Sequence, residues 1–204
     1  MPVRNTYKVS LDDSYYHVYS RGVAKQPIFI DDKDYAYFMA LLERYLGGEE
    51  AASAYGVYPN YREKIELLAY CLLQNHFHLL FYQVESGTMS ILMKSLLGSY
   101  TRYFNKRWKR SGPLFESRYK ASLVQDETYL LHISRYIHMN PRYYQRYPYS
   151  SYMHYIGAPA ADWLQASRIV DIFTDNRINY PQFCKEYETN KKLLEDIKNQ
   201  LADT

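Results

Sequence analysis

The segment Asn75-His76-Phe77-His78-Leu79-Leu80 places two histidines two residues apart. On an extended strand that spacing turns both imidazoles to one face, while Phe77 and Leu79 point to the other. Two imidazoles side by side are a two-point grip for a metal, which needs a further ligand, and an open position if it is to polarise a substrate oxygen. The plainer reading is a chance H-x-H whose rings are satisfied by local hydrogen bonds. A second cluster lies in Arg135-Tyr136-Ile137-His138-Met139-Asn140-Pro141, where Tyr136 and Asn140 are four apart and share one face of a helix. There a phenol can act as a nucleophile while an amide oxygen one turn on helps to hold a metal. Against this, Tyr136 is one of 25 tyrosines and could simply pack a half-buried helix that Asn140 ends. His138 lies about 200° round that helix from Tyr136, so it is not placed to be its base.

The elements that must position these residues follow from periodicity. Residues 14–20, rich in aromatic and β-branched side chains, read as a first strand stopped by Arg21-Gly22. Asp31 and Asp32 open a helix with apolar residues from Tyr35 to Tyr45, ended by Gly47-Gly48. Glu49 to Arg62 reads as a loop, and Ile65 to Val84 as two strands around Gln74-Asn75. Thr88 or Ser90 caps a second helix, which runs to Ser111-Gly112-Pro113. Leu114 to Val124 reads as a fourth strand, and Asp126-Glu127-Thr128 starts the helix that carries Tyr136 and stops at Asn140-Pro141. The order β-α-β-β-α-β-α predicts an α+β fold, a ferredoxin-like antiparallel sheet with helices packed on it. Residues 1–157 form that domain. Residues 158–204 form a small helical C-terminal extension, with helices expected over 163–173, 180–187 and 193–201.

Composition narrows the class. With 204 residues, 47% hydrophobic and 23% charged, the chain can bury a core and is neither disordered nor collagen-like. Its longest apolar run, Leu67 to Leu73, is too short to span a bilayer. Met1-Pro2-Val3-Arg4 leads into polar residues, so no secretory signal and a cytoplasmic location are expected. Cys71 and Cys184 lack C-x-x-C spacing; Cys71 reads as a buried apolar thiol. Although the net charge is only +3, residues 94–146 hold 11 basic and three acidic residues, leaving the rest of the chain net acidic. Such segregation suits a phosphate-binding face. Arg102, Lys106, Arg107, Lys109, Arg110, Arg118 and Lys120 are the candidate phosphate contacts. Tyr100, Tyr103 and Trp108 are candidates for base stacking, although Trp108 shares with Phe104 an apolar stripe that suits the core. Tyr143, Tyr144, Tyr147 and Tyr149 either stack bases or cover the sheet.

Taken in order, His76-x-His78, the basic helix, Gly112-Pro113-Leu114-Phe115-Glu116-Ser117-Arg118-Tyr119-Lys120 and Tyr136-Ile137-His138-Met139-Asn140-Pro141 resemble the REP-associated tyrosine transposases. That family belongs to the HUH single-tyrosine superfamily and is related to the transposases of small bacterial insertion sequences. His17-Val18-Tyr19-Ser20-Arg21-Gly22 and Tyr149-Ser150-Ser151-Tyr152 share the resemblance, which spans roughly residues 14–157. One departure is Gln74, where relatives often have proline.

The resemblance implies a metal-dependent DNA transposase or nuclease that cleaves and rejoins single-stranded, hairpin-containing DNA. Tyr136 would be the nucleophile, forming a 5′-phosphotyrosine intermediate. His76, His78 and Asn140 would bind a divalent ion, Mg or Mn. It also implies DNA as the partner and allows a homodimer. The competing reading is a domesticated protein that binds single-stranded nucleic acid without cutting it.

Overall fold

The computed structural model describes residues 10–49, 52–53, 56–176 and 178–188. Its elements are β1 (Ser14–Arg21), α1 (Asp32–Leu46), a small hairpin of β2 (Ala52–Ser53) and β3 (Gly56–Val57), β4 (Ile65–Leu73), β5 (His76–Gln83), α2 (Thr88–Arg107), β6 (Lys120–Val124), α3 (Glu127–His138), α4 (Tyr152–Tyr155), α5 (Ser167–Asp175) and α6 (Tyr180–Glu188). The four long strands form one antiparallel sheet in the order β4-β5-β1-β6. This is the expected ferredoxin-like α+β architecture.

Strand alternation sorts side chains into two layers. Phe77, Leu79 and Phe81 of β5, with Tyr16 and Val18 of β1, are buried on one face. There α1 and α2 pack, Phe38 and Tyr100 closing on one another at 5.1 Å and Phe38 on Phe77 at 5.4 Å. On the other face α3 lies against β4, β5 and β6. Helix starts are set by local chemistry. The Asp31 carboxylate accepts from the backbone N–H groups of Lys33 and Asp34, and Asp126 from that of Tyr129. The turn between β4 and β5 works with Gln74 in place of proline, its carbonyl accepting from the N–H groups of Ile28 and Phe29.

Four boundaries differ from the sequence-based expectation. The loop over 49–62 contains the hairpin β2–β3. Neither Thr88 nor Ser90 caps α2; Gly87 does so at φ +84°, and the Gln83 side chain accepts from the Met89 N–H instead. The fourth strand begins only at Lys120. Before it, Asn105 and Arg110 donate to the carbonyls of Gly112 and Pro113, and only Phe115 bridges to Gly22. Helix α3 stops at His138, so Asn140 stands two residues past its end, where the following proline disfavours helical backbone.

Segments after residue 140 are part of the same core. The outer edge of β4 is covered by them: Leu72 N–H donates to the Tyr149 carbonyl, Tyr70 N–H to Ser151 Oγ, and the Tyr70 carbonyl accepts from Ser151 N–H. The Leu68 and Leu72 carbonyls take the hydroxyls of Tyr155 and Tyr147, and Leu67 pairs with Leu164. Trp163, Leu164, Ile169, Phe173, Tyr180 and Cys184 join the central hydrophobic cluster, as does the buried Cys71. The helix expected over 193–201 lies outside the described residues.

Two buried contacts fix α3. The Arg135 guanidinium lies between the rings of Phe183 and Tyr187, 4.0 and 3.8 Å from their centroids, and donates to the Phe183 carbonyl. His138 is fully buried, with Nδ1 2.6 Å from the Tyr180 hydroxyl and Nε2 2.7 Å from Ser151 Oγ. Burial pushes its pKa from the ordinary 6.5 down to about 3. In the unfolded chain His138 takes up a proton near pH 6.5, whereas the folded protein resists until about pH 3, so stability falls as pH drops through that window. For this one imidazole the expected loss between pH 7 and pH 5 is about 2 kcal/mol. Denaturant unfolding at the two pH values is expected to show His138→Gln less stable than the parent at pH 7 and losing less on acidification. An equal loss in both proteins would remove His138 from the acid response.

Candidate active site

The β1–β5 register sets Arg21 opposite His76, Tyr19 opposite His78 and His17 opposite Leu80. Residues opposite one another share a face, so Arg21, Tyr19 and His17 lie on the same side of the sheet as the two histidines. β6 adds Lys120, opposite Tyr19. Over this face the C-terminal end of α3 brings Tyr136, its ring edge-on to His78 at 5.4 Å and to His17 at 5.9 Å between centroids. Just beyond, Asn140 lines the same cleft, close enough for its amide to influence both His76 and Tyr136. The four residues singled out in the sequence as catalytic or metal-binding, His76, His78, Tyr136 and Asn140, therefore converge. They line a cleft of about 480 Å³, with Arg21, Glu116 and Lys120 also in its wall.

The cleft keeps its groups uncharged at rest. Burial first, and then the charge of Arg21, push the His76 pKa down to about 4, opposed by Asn140. His78 is held well below its ordinary value, by burial first and then by His17, His76 and Arg21. Burial raises the Tyr136 phenol above its ordinary value; Asn140 and Arg21 work the other way. Two neutral imidazoles thus face a protonated phenol, with the Asn140 amide beside them in the cleft wall.

Among the described residues, no three His, Cys, Asp or Glu side chains come together as a metal cage. The donors present are imidazole nitrogens and an amide oxygen, a set that suits a divalent ion accepting nitrogen ligands and keeping open positions. Each imidazole already has one nitrogen engaged. His76 Nδ1 is 2.6 Å from Asn75 Oδ1 and His78 Nδ1 is 2.9 Å from His17 Nε2, which leaves Nε2 of both for a ligand. The residues fit such an ion.

Residues 57–140 match the family model described as "Transposase IS200 like". Over this segment the chain is similar to the IS200-like transposases. All four convergent residues lie within it, Asn140 at its last position, whereas His17, Tyr19 and Arg21 lie outside it. A solved structure of a REP-associated tyrosine transposase bound to a REP hairpin has the same fold, with a TM-score of 0.55 at 12% identity over 77% of this chain and 88% of that one. A protein of Deinococcus radiodurans R1 described as a transposase gives a TM-score of 0.39 at 17% identity over 67% of this chain and 95% of that one. No curated protein matches the chain. No helix among the described residues is long and apolar enough to cross a membrane.

The basic residues singled out in the sequence are not one surface. Lys120 lines the cleft, and Arg118 is exposed in the loop leading to it rather than on a strand. Arg102, Lys106, Lys109 and Arg110 sit near the end of α2, in the layer on the other side of the sheet. Arg107, one of the expected DNA contacts, has its guanidinium paired with both Asp31 and the fully buried Asp34, and with the Tyr103 hydroxyl. An arginine held by two carboxylates has its donors committed.

The stacking candidates change too. Tyr100 is completely buried, and Tyr103 stacks on Tyr37 at 3.8 Å. Tyr144 is buried, Tyr149 stacks on Tyr35 at 3.7 Å, and Tyr147 bonds the Leu72 carbonyl. Tyr143 stays 72% exposed. Phe104 is in the core as expected, but Trp108 is 36% exposed with its indole N–H on Asp34. His17, Tyr19 and Arg21, with Ser20, Glu116 and Ser117, line the cleft without having been singled out as site residues in the sequence; the first three alternate on β1. Their H-x-Y-x-R alternation carries the same signal as H-x-H. Arg107→Ala is expected to lower the melting temperature while leaving the salt dependence of DNA binding unchanged, whereas Lys120→Ala is expected to reduce that slope by about one unit. Fluorescence anisotropy with a labelled strand at several salt concentrations separates the two.

Proposed function

We propose that this chain is a divalent-metal-dependent, single-tyrosine DNA transposase that cleaves and rejoins single-stranded DNA next to a hairpin. The observation that supports this most is the convergence of the Tyr136 phenol, the imidazoles of His76 and His78 and the Asn140 amide in one cleft. The family match over 57–140 and the fold shared with a transposase bound to a REP hairpin support DNA as the substrate.

His76, His78 and Asn140 would hold Mg or Mn. Such an ion, when bound, stabilises the charge that grows on the phosphate oxygens during displacement. Arg21 and Lys120, the cations in the cleft wall, hold the phosphate against Tyr136. The Tyr136 oxygen bonds to phosphorus as the bond to the 3′ oxygen breaks. The phenol gives up its proton, and the departing 3′ oxygen takes one. Arg21 favours the phenolate that burial disfavours, so it serves both binding and activation. The 5′-phosphotyrosine keeps the energy of the broken bond, so another 3′ hydroxyl can reverse the step without ATP.

A denaturing gel with labelled hairpin-flanked single strands is the test. The wild type with Mn is expected to give a covalent protein–DNA band that Tyr136→Phe abolishes, with hairpin affinity changed less than about threefold, since the variant lacks one hydroxyl. A band surviving in Tyr136→Phe would move the nucleophile to Tyr19. A strand bound tightly by the wild type but never attached would favour the non-cleaving nucleic-acid-binding reading.

A further inference from the structure

His17 sits at the centre of the sheet, wholly buried, with its ring stacked on His78 at 5.1 Å between centroids. Its Nε2 is 2.9 Å from His78 Nδ1, while its own Nδ1 is buried with no hydrogen-bond partner. Two neutral imidazoles joined in this way share one hydrogen between them, and only two arrangements exist. In the first, His78 Nδ1–H donates to His17 Nε2, His17 carries its proton on Nδ1, and His78 Nε2 presents a bare lone pair to the cleft. In the second, His17 Nε2–H donates to His78 Nδ1, and His78 Nε2 carries a hydrogen and can bind no cation.

We propose that His17 is a positioning residue for the metal: by accepting the Nδ1 hydrogen of His78 it selects the tautomer and ring orientation in which His78 Nε2 is a ligand. This rests on the reading of His76, His78 and Asn140 as metal-binding. Ligating histidines commonly donate their second N–H to a carboxylate, a carbonyl or water. Here a neutral imidazole takes that place, so His78 is oriented without a negative charge being added under the site. Asn75 Oδ1 does the same for His76 at 2.6 Å, and each ring is thereby fixed by one partner of its own.

The prediction concerns binding rather than turnover. In His17→Leu the His78 Nδ1–H would be buried without an acceptor, which drives the hydrogen to Nε2. Mn affinity, read by the EPR signal of free Mn, is expected to fall about 10–100-fold, with hairpin affinity in EDTA unchanged. His17→Gln, whose amide oxygen can stand where Nε2 stood, is expected to recover most of the loss. Equal Mn affinity in the wild type and His17→Leu overturns the inference while leaving the metal reading intact. Wild type that binds no Mn sensitive to His76→Ala overturns both.

Should His17→Leu fail to fold, imidazole ¹⁵N NMR of the wild type decides. With Mg bound, a hydrogen on His17 Nδ1 and a bare Nε2 are expected, and a hydrogen on His17 Nε2 would sink the proposal.

Discussion

The unslipped antiparallel pairing of β1 with β5 is the constraint on which everything else in this molecule rests. From Ser14 with Gln83 to Arg21 with His76 the partners run without a bulge. Because the side-chain period of a strand is two, a slip of one residue would turn His17, Tyr19 and Arg21 into the α1–α2 core and bring Tyr16 and Val18 into the cleft. The pairing is held by burial on that opposite face, where Phe77, Leu79 and Phe81 pack with Tyr16 and Val18. Apolar packing on one side thus dictates polar chemistry on the other. The irregularity in the sheet, between Leu67 and Ala69, falls on the β4–β5 pair, away from the histidines.

What the sequence made legible was local. The H-x-H spacing, the Tyr136–Asn140 spacing, the acidic caps and the βαββαβ order all depend on residues within a turn or a strand of one another, and the structure has them together. What it hid was long-range. His17 becomes a partner of His78 across 61 residues; its own alternation with Tyr19 and Arg21 gives the shared face but not the partner. Arg107 looked like one of several free cations on a basic helix, but its carboxylate partners lie 76 and 73 residues earlier. A count of charges along a segment records no partners. The same reasoning explains the tyrosines, of which 25 in the sequence give many candidates for stacking while the fold commits Tyr100, Tyr144 and Tyr149 to packing.

Position of the nucleophile is a second consequence of distant contacts. Tyr136 has Arg135 on one side and His138 close on the other, and neither belongs to the cleft. Both tie α3 to segments later in the chain, Arg135 to α6 and His138 to Tyr180 and Ser151. The face of α3 turned away from the sheet's histidines is therefore as constrained as the face turned toward them. Described residues after 157 contribute to the order of the site although none of those described lines it.

The covered edge of β4 bears on assembly. Along its outer side the backbone groups of Tyr70 and Leu72 and the carbonyls of Leu67 and Leu68 are already taken by residues 147–165. A strand approaching there would find its ladder partners spent. At the opposite edge β6 offers five residues. Two copies of this chain cannot join their sheets through Tyr70 and Leu72 of β4 into one continuous surface. A dimer that leaves this edge intact must be built from helices, loops or the short rim of β6.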